Sequence, residues 1–320
     1  MEKALLVVSF GTSHRETRDE TIGAIESYLA KAMPHRKLYR AWTSRFIIKK
    51  LKERDGIEID TVDRAIDRMI DDGIKDLLIV PTHMIGGSEN QKMMTMIREK
   101  LAESHGECGS VAETSGHEGP EAGPFDRVRV SRPLLDTPED LGKLVEVVAG
   151  ELLAGPEETG QELPAGGREE TLVLMGHGSG DRPEANEIYV RLEEEFHRQG
   201  YPNVLVGTVE GEPGIGQIID RITSDDVLLA PLMIVAGDHA VNDMAGDDPS
   251  SWKNRIAAGR NSDFGAETPV SRRGSVDEEG TGTDPRTVIP VLRGLGSYPG
   301  VQAMFLDHAM MADREGLDLC

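Results

Sequence analysis

Val173-Leu174-Met175-Gly176-His177-Gly178-Ser179-Gly180 is an apolar run that stops in a glycine-rich turn carrying one histidine. A run apolar at every position reads as a strand buried on both faces, as in a parallel sheet covered by helices. A second such run, Val227–Val235, leads through Ala236-Gly237-Asp238 to His239. In open α/β sheets, ligands bind just beyond the carboxyl ends of the strands. Both histidines fall at such ends.

Working outward, strand and helix patterns alternate. Ala4–Ser9 reads as a buried strand ending in Phe10-Gly11-Thr12. A helix follows, opened by Ser13 with Glu16 three residues on, a capping-box spacing. Its apolar stripe is Ile22, Ile25, Leu29 and Met33. Helices are expected over Phe46–Leu51, Val62–Ile70 and Gln91–Ala102, and strands over Asp76–Pro81 and Arg127–Arg132. Pro138 opens a helix carrying Leu141, Leu144, Val148 and Leu152. The series then restarts, with strands at Leu172–Met175, Asn203–Val209 and Val227–Val235. Helices are expected at Glu184–Arg198, Gly214–Ile222 and about Pro299–Asp313.

Two βα series predict an α/β fold of two doubly wound halves with parallel sheets. The expected division is 1–135, then 136–298 with a linking helix near 137–153. A C-terminal helix in 299–320 should pack back on the first half. An internal repeat supports the pairing. Leu6-Val7-Val8-Ser9-Phe10-Gly11-Thr12 resembles Val173 to Ser179, and the stretch from Ile79 to Glu89 resembles that from Leu229 to His239. Phe10 then stands opposite His177, and Glu89 opposite His239. A pseudo-two-fold would gather all four around one cleft.

Composition narrows the classes. The 320 residues include 57 acidic and 35 basic side chains, a formal charge of -22. Such a surface repels phosphate backbones, so nucleic acid is not an expected partner. Two cysteines, Cys108 and Cys320, make neither a disulfide framework nor a thiolate zinc site. No signal peptide or bilayer-length apolar segment is read, so a soluble cytoplasmic protein is expected. The stretches 104–123, 155–169 and 260–284 are rich in Gly, Glu, Ser and Thr and read as mobile surface insertions.

Imidazole is the commonest metal ligand and titrates near neutrality. His177 lies between glycines that let a ligand approach; the alternative is a histidine bonded within its turn. His239 has Asp238, Asn242 and Asp243 close by, carboxylates of the kind that orient a metal-binding ring; the alternative is a helix cap. Glu210 ends the intervening strand. Two imidazoles and a carboxylate make an open site for Co, Ni, Fe or Zn, or Glu210 simply complements a helix dipole. Glu89, beyond Gly86-Gly87, has the same two readings. His83 reads as a packed residue, and His14, His35, His197 and His308 as surface residues. Gly11-Thr12-Ser13 lacks the P-loop ending and the Gly-x-Gly-x-x-Gly spacing, so no nucleotide cofactor is expected.

The chain resembles the anaerobic cobalt chelatases of the CbiK type, within the class II chelatase superfamily. The resemblance rests on Lys3 to Ser13, Asp55 to Thr61, Met175-Gly176-His177-Gly178, Val235 to Met244 with Asp247-Asp248 and Ser251-Trp252-Lys253, and Gly294-Leu295-Gly296. It implies two Rossmann-like domains holding a tetrapyrrole in the cleft between them. It implies insertion of Co²⁺ into sirohydrochlorin without ATP, with Fe²⁺ or Ni²⁺ insertion as the related activities. A metal- or tetrapyrrole-carrying protein is the alternative of another class. His177 and His239 match the family's metal-binding catalytic histidines, Glu210 a further metal ligand, and Glu89 an acidic residue facing the cleft. Phe10, Gly11, Thr12 and Ser13 are expected to line the tetrapyrrole pocket. Arg45, Lys49 and Lys50 are candidates to meet the substrate's carboxylates, with a solvated helix face as the alternative for each, and a homo-oligomer is compatible with these features.

Overall fold

The structure, a computed structural model, describes residues 2–104, 123–154, 170–259, 285–315 and 319. Cys108, Cys320 and nearly all of the three polar insertions lie outside the described residues.

Two four-stranded sheets, parallel throughout, make up the framework. The first comprises β1 (Lys3–Ser9), β2 (Lys37–Trp42), β3 (Asp76–Pro81) and β4 (Arg127–Val130), in the order β2-β1-β3-β4. The second comprises β5 (Thr171–Gly178), β6 (Val204–Glu210), β7 (Asp226–Leu232) and β8 (Thr287–Pro290), in the order β6-β5-β7-β8. The two orders are the same. The internal repeat holds in register too: Leu6 pairs with Ile79 as Val173 pairs with Leu229, and Val8 faces Pro81 as Met175 faces Pro231.

Helices cover both faces of each sheet. In chain order they are α1 (Arg15–Glu20), α2 (Ile22–Ala32), α3 (Arg45–Asp55), α4 (Val62–Asp71), α5 (Ser88–Ser104) and α6 (Pro138–Leu152), then α7 (Glu187–Arg198), α8 (Ile215–Ile219), α9 (Trp252–Ala258) and α10 (Pro299–Glu315). Period-2 alternation sorts the strand residues. Leu5 and Val7 of β1 and Leu172 and Leu174 of β5 enter one apolar cluster shared with α2, α6, α7 and α10. Leu6 and Val8 enter a separate cluster on the outer face of the first sheet, and Val173 and Met175 one on the outer face of the second. The shared cluster fixes the two sheets relative to each other. Among the described residues no helix is long and apolar enough to cross a membrane.

Several expectations need correction. Ser13 does not cap the first helix: His14 holds that position, and its N–H donates to Thr12 Oγ1 at 3.2 Å. The helix is also broken at Thr21, whose hydroxyl bonds back to the Thr17 carbonyl. Strands β2 and β8 were not expected; they lie at sheet edges and bury little, only Tyr39, Ala41 and Trp42 in β2 and no residue in β8, so neither forms a long apolar run. The run toward His239 leaves the sheet after Leu232, because Met233 and Ile234 offer their carbonyls to Leu295 and Gly296 instead of to a neighbouring strand. His308 is not at the surface. It is buried, and its Nε2 bonds Asp140 Oδ1 at 2.9 Å, joining α10 to the capping box of α6.

At the amino-terminal edge of the first sheet lies a buried ionic network. Asp76 accepts from Arg36 at 3.0 Å and from Arg129 at 2.9 Å. The same two guanidiniums reach Asp313 of α10 at 2.6 and 2.7 Å. Burial pushes the Asp76 carboxyl upward, but Arg36 and Arg129 outweigh it and hold it below the usual carboxylate range. Removing one member of a buried network strands the charges left behind. Asp76→Ala is therefore expected to cost about 3–5 kcal/mol in urea denaturation, whereas Lys37→Ala, at an exposed pair, should leave the midpoint nearly unchanged.

Candidate active site

The carboxyl ends of β1 and β3 meet those of β5 and β7 at one seam. Gly237 lies against the hydroxyl of Thr12, and His14 Nε2 sits 2.8 Å from Asp238 Oδ1. On the other side of the pseudo-two-fold, the Ser88 hydroxyl donates to Asp181 Oδ1 at 2.5 Å and lies 3.3 Å from the Ser179 hydroxyl. Each half thus contributes its first and third strand ends.

His177 lies within the last residues of β5, and His239 opens a short π-helical turn, His239–Met244. The two rings stand edge to face, centroids 4.8 Å apart and planes at 84°. Each is fixed through Nδ1. His177 Nδ1 meets the Gly178 carbonyl at 3.0 Å, and His239 Nδ1 meets Asp243 Oδ2 at 2.6 Å. A carbonyl and a carboxylate only accept, so in the neutral rings both Nδ1 atoms carry the proton and both Nε2 atoms keep a lone pair. Two imine nitrogens side by side can ligate a cation or take up protons.

The glycines around His177 answer to packing. A Cβ on Gly176 would stand 2.6 Å from the buried Tyr189 ring. Gly178 has φ +79°, and a Cβ there would lie 2.0 Å from the Glu210 carbonyl oxygen. Only glycine fits both positions. His177 is thus held between two points where the backbone is pressed against neighbours.

Glu210 ends β6 with its backbone in register with Gly178. Its carboxylate accepts a long 3.4 Å contact from Gly180 N, and buried Asn186 braces the turn by bonding Ser179 N and Glu210 O. Among the described residues, no group of three or more His, Cys, Asp or Glu side chains stands ready to hold a metal. The two imidazoles are gathered; the carboxylate is near the same edge but is not drawn in with them. Glu89 lies in the first turn of α5 and pairs with Lys92 at 2.9 Å. Its neighbour Ser88 makes the contact across the seam, to Asp181. Of the Phe10–Ser13 turn, only Phe10 is exposed; Gly11 rests on the Trp42 ring, and Thr12 and Ser13 are buried.

Sequence reasoning missed His14, which it assigned to the surface. Its pairing partner is 224 residues away, and no local signal announces it. It likewise passed over Asn186, Ser88 and Asp181. His83 is buried as expected, but neither ring nitrogen has a hydrogen-bond partner. Burial lowers its pKa from 6.5 to about 4, against a weaker upward pull from Glu89.

The chain matches the family model "Cobalt chelatase (CbiK)" over residues 3–313. It is 34% identical over 315 residues to a sirohydrochlorin cobaltochelatase of Salmonella typhimurium, covering 98% of this chain and 97% of that one. It is 27% identical to sirohydrochlorin cobaltochelatase CbiKC of Nitratidesulfovibrio vulgaris, covering 97% and 90%. The solved structure of SirB from Bacillus subtilis with Fe3+ aligns over all of both chains with a TM-score of 0.60 at 12% identity, a likeness of fold.

The state of His83 has a consequence for stability. The ring is neutral in the folded protein down to about pH 4, whereas the unfolded chain takes up a proton near pH 6.5. Stability should therefore fall as pH drops from about 6.5 to about 4, by at most about 1.4 kcal/mol per pH unit from this group. Urea midpoints measured across that range should show a shallower acid slope in His83→Leu.

Proposed function

The chain belongs to the cobalt chelatase (CbiK) family, and on that premise we propose that it inserts Co²⁺ into sirohydrochlorin. The reaction exchanges two pyrrole protons for one dication. No phosphoryl group is transferred, and the proposal includes no nucleotide. The observation that carries it is the edge-to-face pair of His177 and His239, each tied through Nδ1 and so presenting Nε2.

In the proposed mechanism, the two Nε2 atoms hold the incoming cation at the seam. Glu210 joins them by leaving its long contact to Gly180, which is near the limit of a useful hydrogen bond. As the metal passes into the ring, it vacates the imidazoles, which are then free to accept the pyrrole protons. Asp243 stabilises the imidazolium that forms on His239. Glu89 relays protons from the other half, and Phe10 contacts the macrocycle. An imidazole–carboxylate donor set also suits Fe²⁺ and Ni²⁺, so these are proposed as slower substrates. The proposed setting is the cytoplasm with a dissolved tetrapyrrole; the large acidic excess argues against a nucleic-acid partner.

The test is an absorbance assay of metal insertion, run in parallel with Co²⁺, Fe²⁺ and Ni²⁺. Many turnovers per protein are expected with Co²⁺; a stoichiometric spectral shift alone would mean a carrier. His177→Ala and His239→Ala should each lower the rate about 100-fold or more, and Asp243→Ala about 10- to 100-fold. Near-normal rates in both histidine variants would sink the assignment.

A further inference from the structure

Helix α3 departs from the character of the chain around it. In a protein of charge -22 it carries five basic side chains against two acidic ones. Its buried face is Leu51 with Ile47 and Ile48, packed on Trp42. Arg45, Phe46, Lys49 and Lys50, at helical spacings of one, four and five, share the opposite face. Phe46 is 73% exposed, an unusual position for a large aromatic ring.

This face adjoins the seam. Ser44, the cap of α3, donates its N–H to the Phe10 carbonyl at 3.2 Å, which sets the start of the helix beside Phe10, itself 48% exposed. Arg54, near the other end of α3, donates to the Ser13 carbonyl at 2.7 Å. Lys50 acts electrostatically on Asp238, the neighbour of His239. Phe46 and Lys50 are one helical turn apart, so the exposed ring and this cation are adjacent.

Resting on the chelatase reading above, we propose that α3 is the specificity-determining wall of the substrate site. Phe46, with Phe10, packs on the apolar plane of the tetrapyrrole, and Arg45, Lys49 and Lys50 attract its peripheral carboxylates. The pairing is one of charge and shape. A flat ring edged with carboxylates complements an aromatic surface edged with cations, and the acidic remainder of the surface turns such a ligand away elsewhere.

The test separates binding from chemistry. Metal-free sirohydrochlorin is titrated into wild type and variants by absorbance, and kcat and KM are measured with Co²⁺. Phe46→Ala should raise Kd and KM about two- to tenfold with kcat within about twofold. Phe46→Tyr, which keeps the ring, should restore both. Lys49→Glu combined with Lys50→Glu should raise Kd roughly tenfold or more, and should remove the weakening by salt expected of wild type. Kd and KM unchanged in Phe46→Ala and in the double variant, or a loss confined to kcat, would overturn the proposal while leaving the activity intact. Affinity that depends on Phe46 without any turnover would overturn the chelatase reading and keep the wall. A wild-type protein that does not bind sirohydrochlorin would overturn both.

Discussion

A parallel sheet has to be buried on both faces, because its connections cross over it and its strands carry apolar residues on either side. This chain meets that constraint twice with one shared interior. Leu5, Val7, Leu78 and Val80 from the first sheet, and Leu172, Leu174, Val206 and Leu228 from the second, belong to the same cluster, filled by α6 and α10. Sharing a core fixes the two sheets against each other. Their carboxyl ends then meet, so that each half closes the other's site through His14–Asp238 and Ser88–Asp181. The Asp76 and Asp140 networks, which tie α10 to the first sheet and to α6, hold that arrangement from the opposite side.

Within the seam, positioning is achieved by backbone and carboxylate contacts that leave the reactive nitrogens unused. Glycines at 176 and 178 let His177 sit between the Tyr189 ring and the end of β6, where a larger residue would collide with both. Nδ1 of each ring is committed to an acceptor, so one tautomer is selected and Nε2 is the nitrogen available for chemistry. Among the described residues, no third ligand is locked in beside them. Under the proposed activity, that openness suits a metal that must be passed on, since a closed cage would hold its cation too tightly to release it. The electrostatics are uneven as well: in a strongly acidic molecule, α3 carries five basic side chains against two acidic ones.

Much of this could be read along the chain. Long, uninterrupted apolar runs such as Asp76–Pro81, and strongly amphipathic helices such as α4 and α6, carry enough signal to stand alone. Strand β2 and strand β8 do not, because each lies at a sheet edge, β2 with exposed Lys37, Leu38 and Arg40 and β8 with no buried position, so neither reads as a buried apolar run. The break at Thr21 and the early end of β7 were also illegible, since each depends on a hydrogen bond whose partner the local sequence does not specify. In the site, His177, His239 and Asp243 stood out because glycine and carboxylate neighbours marked them. His14 and Asn186 had no such mark, and His308 was assigned to the surface because the partner that allows its burial is 168 residues away.

By itself, the sequence determined the α/β class, the internal repeat and the two histidines beyond apolar strand runs, since hydrophobic periodicity and glycine punctuation are local properties. Only the tertiary structure decided that the rings stand 4.8 Å apart, which nitrogen each presents, and that the Phe10–Ser13 turn is bonded to α3 through Ser44 and Arg54. Those features arise from contacts between residues far apart in the chain, and such contacts exist only once the two sheets have closed on their common core.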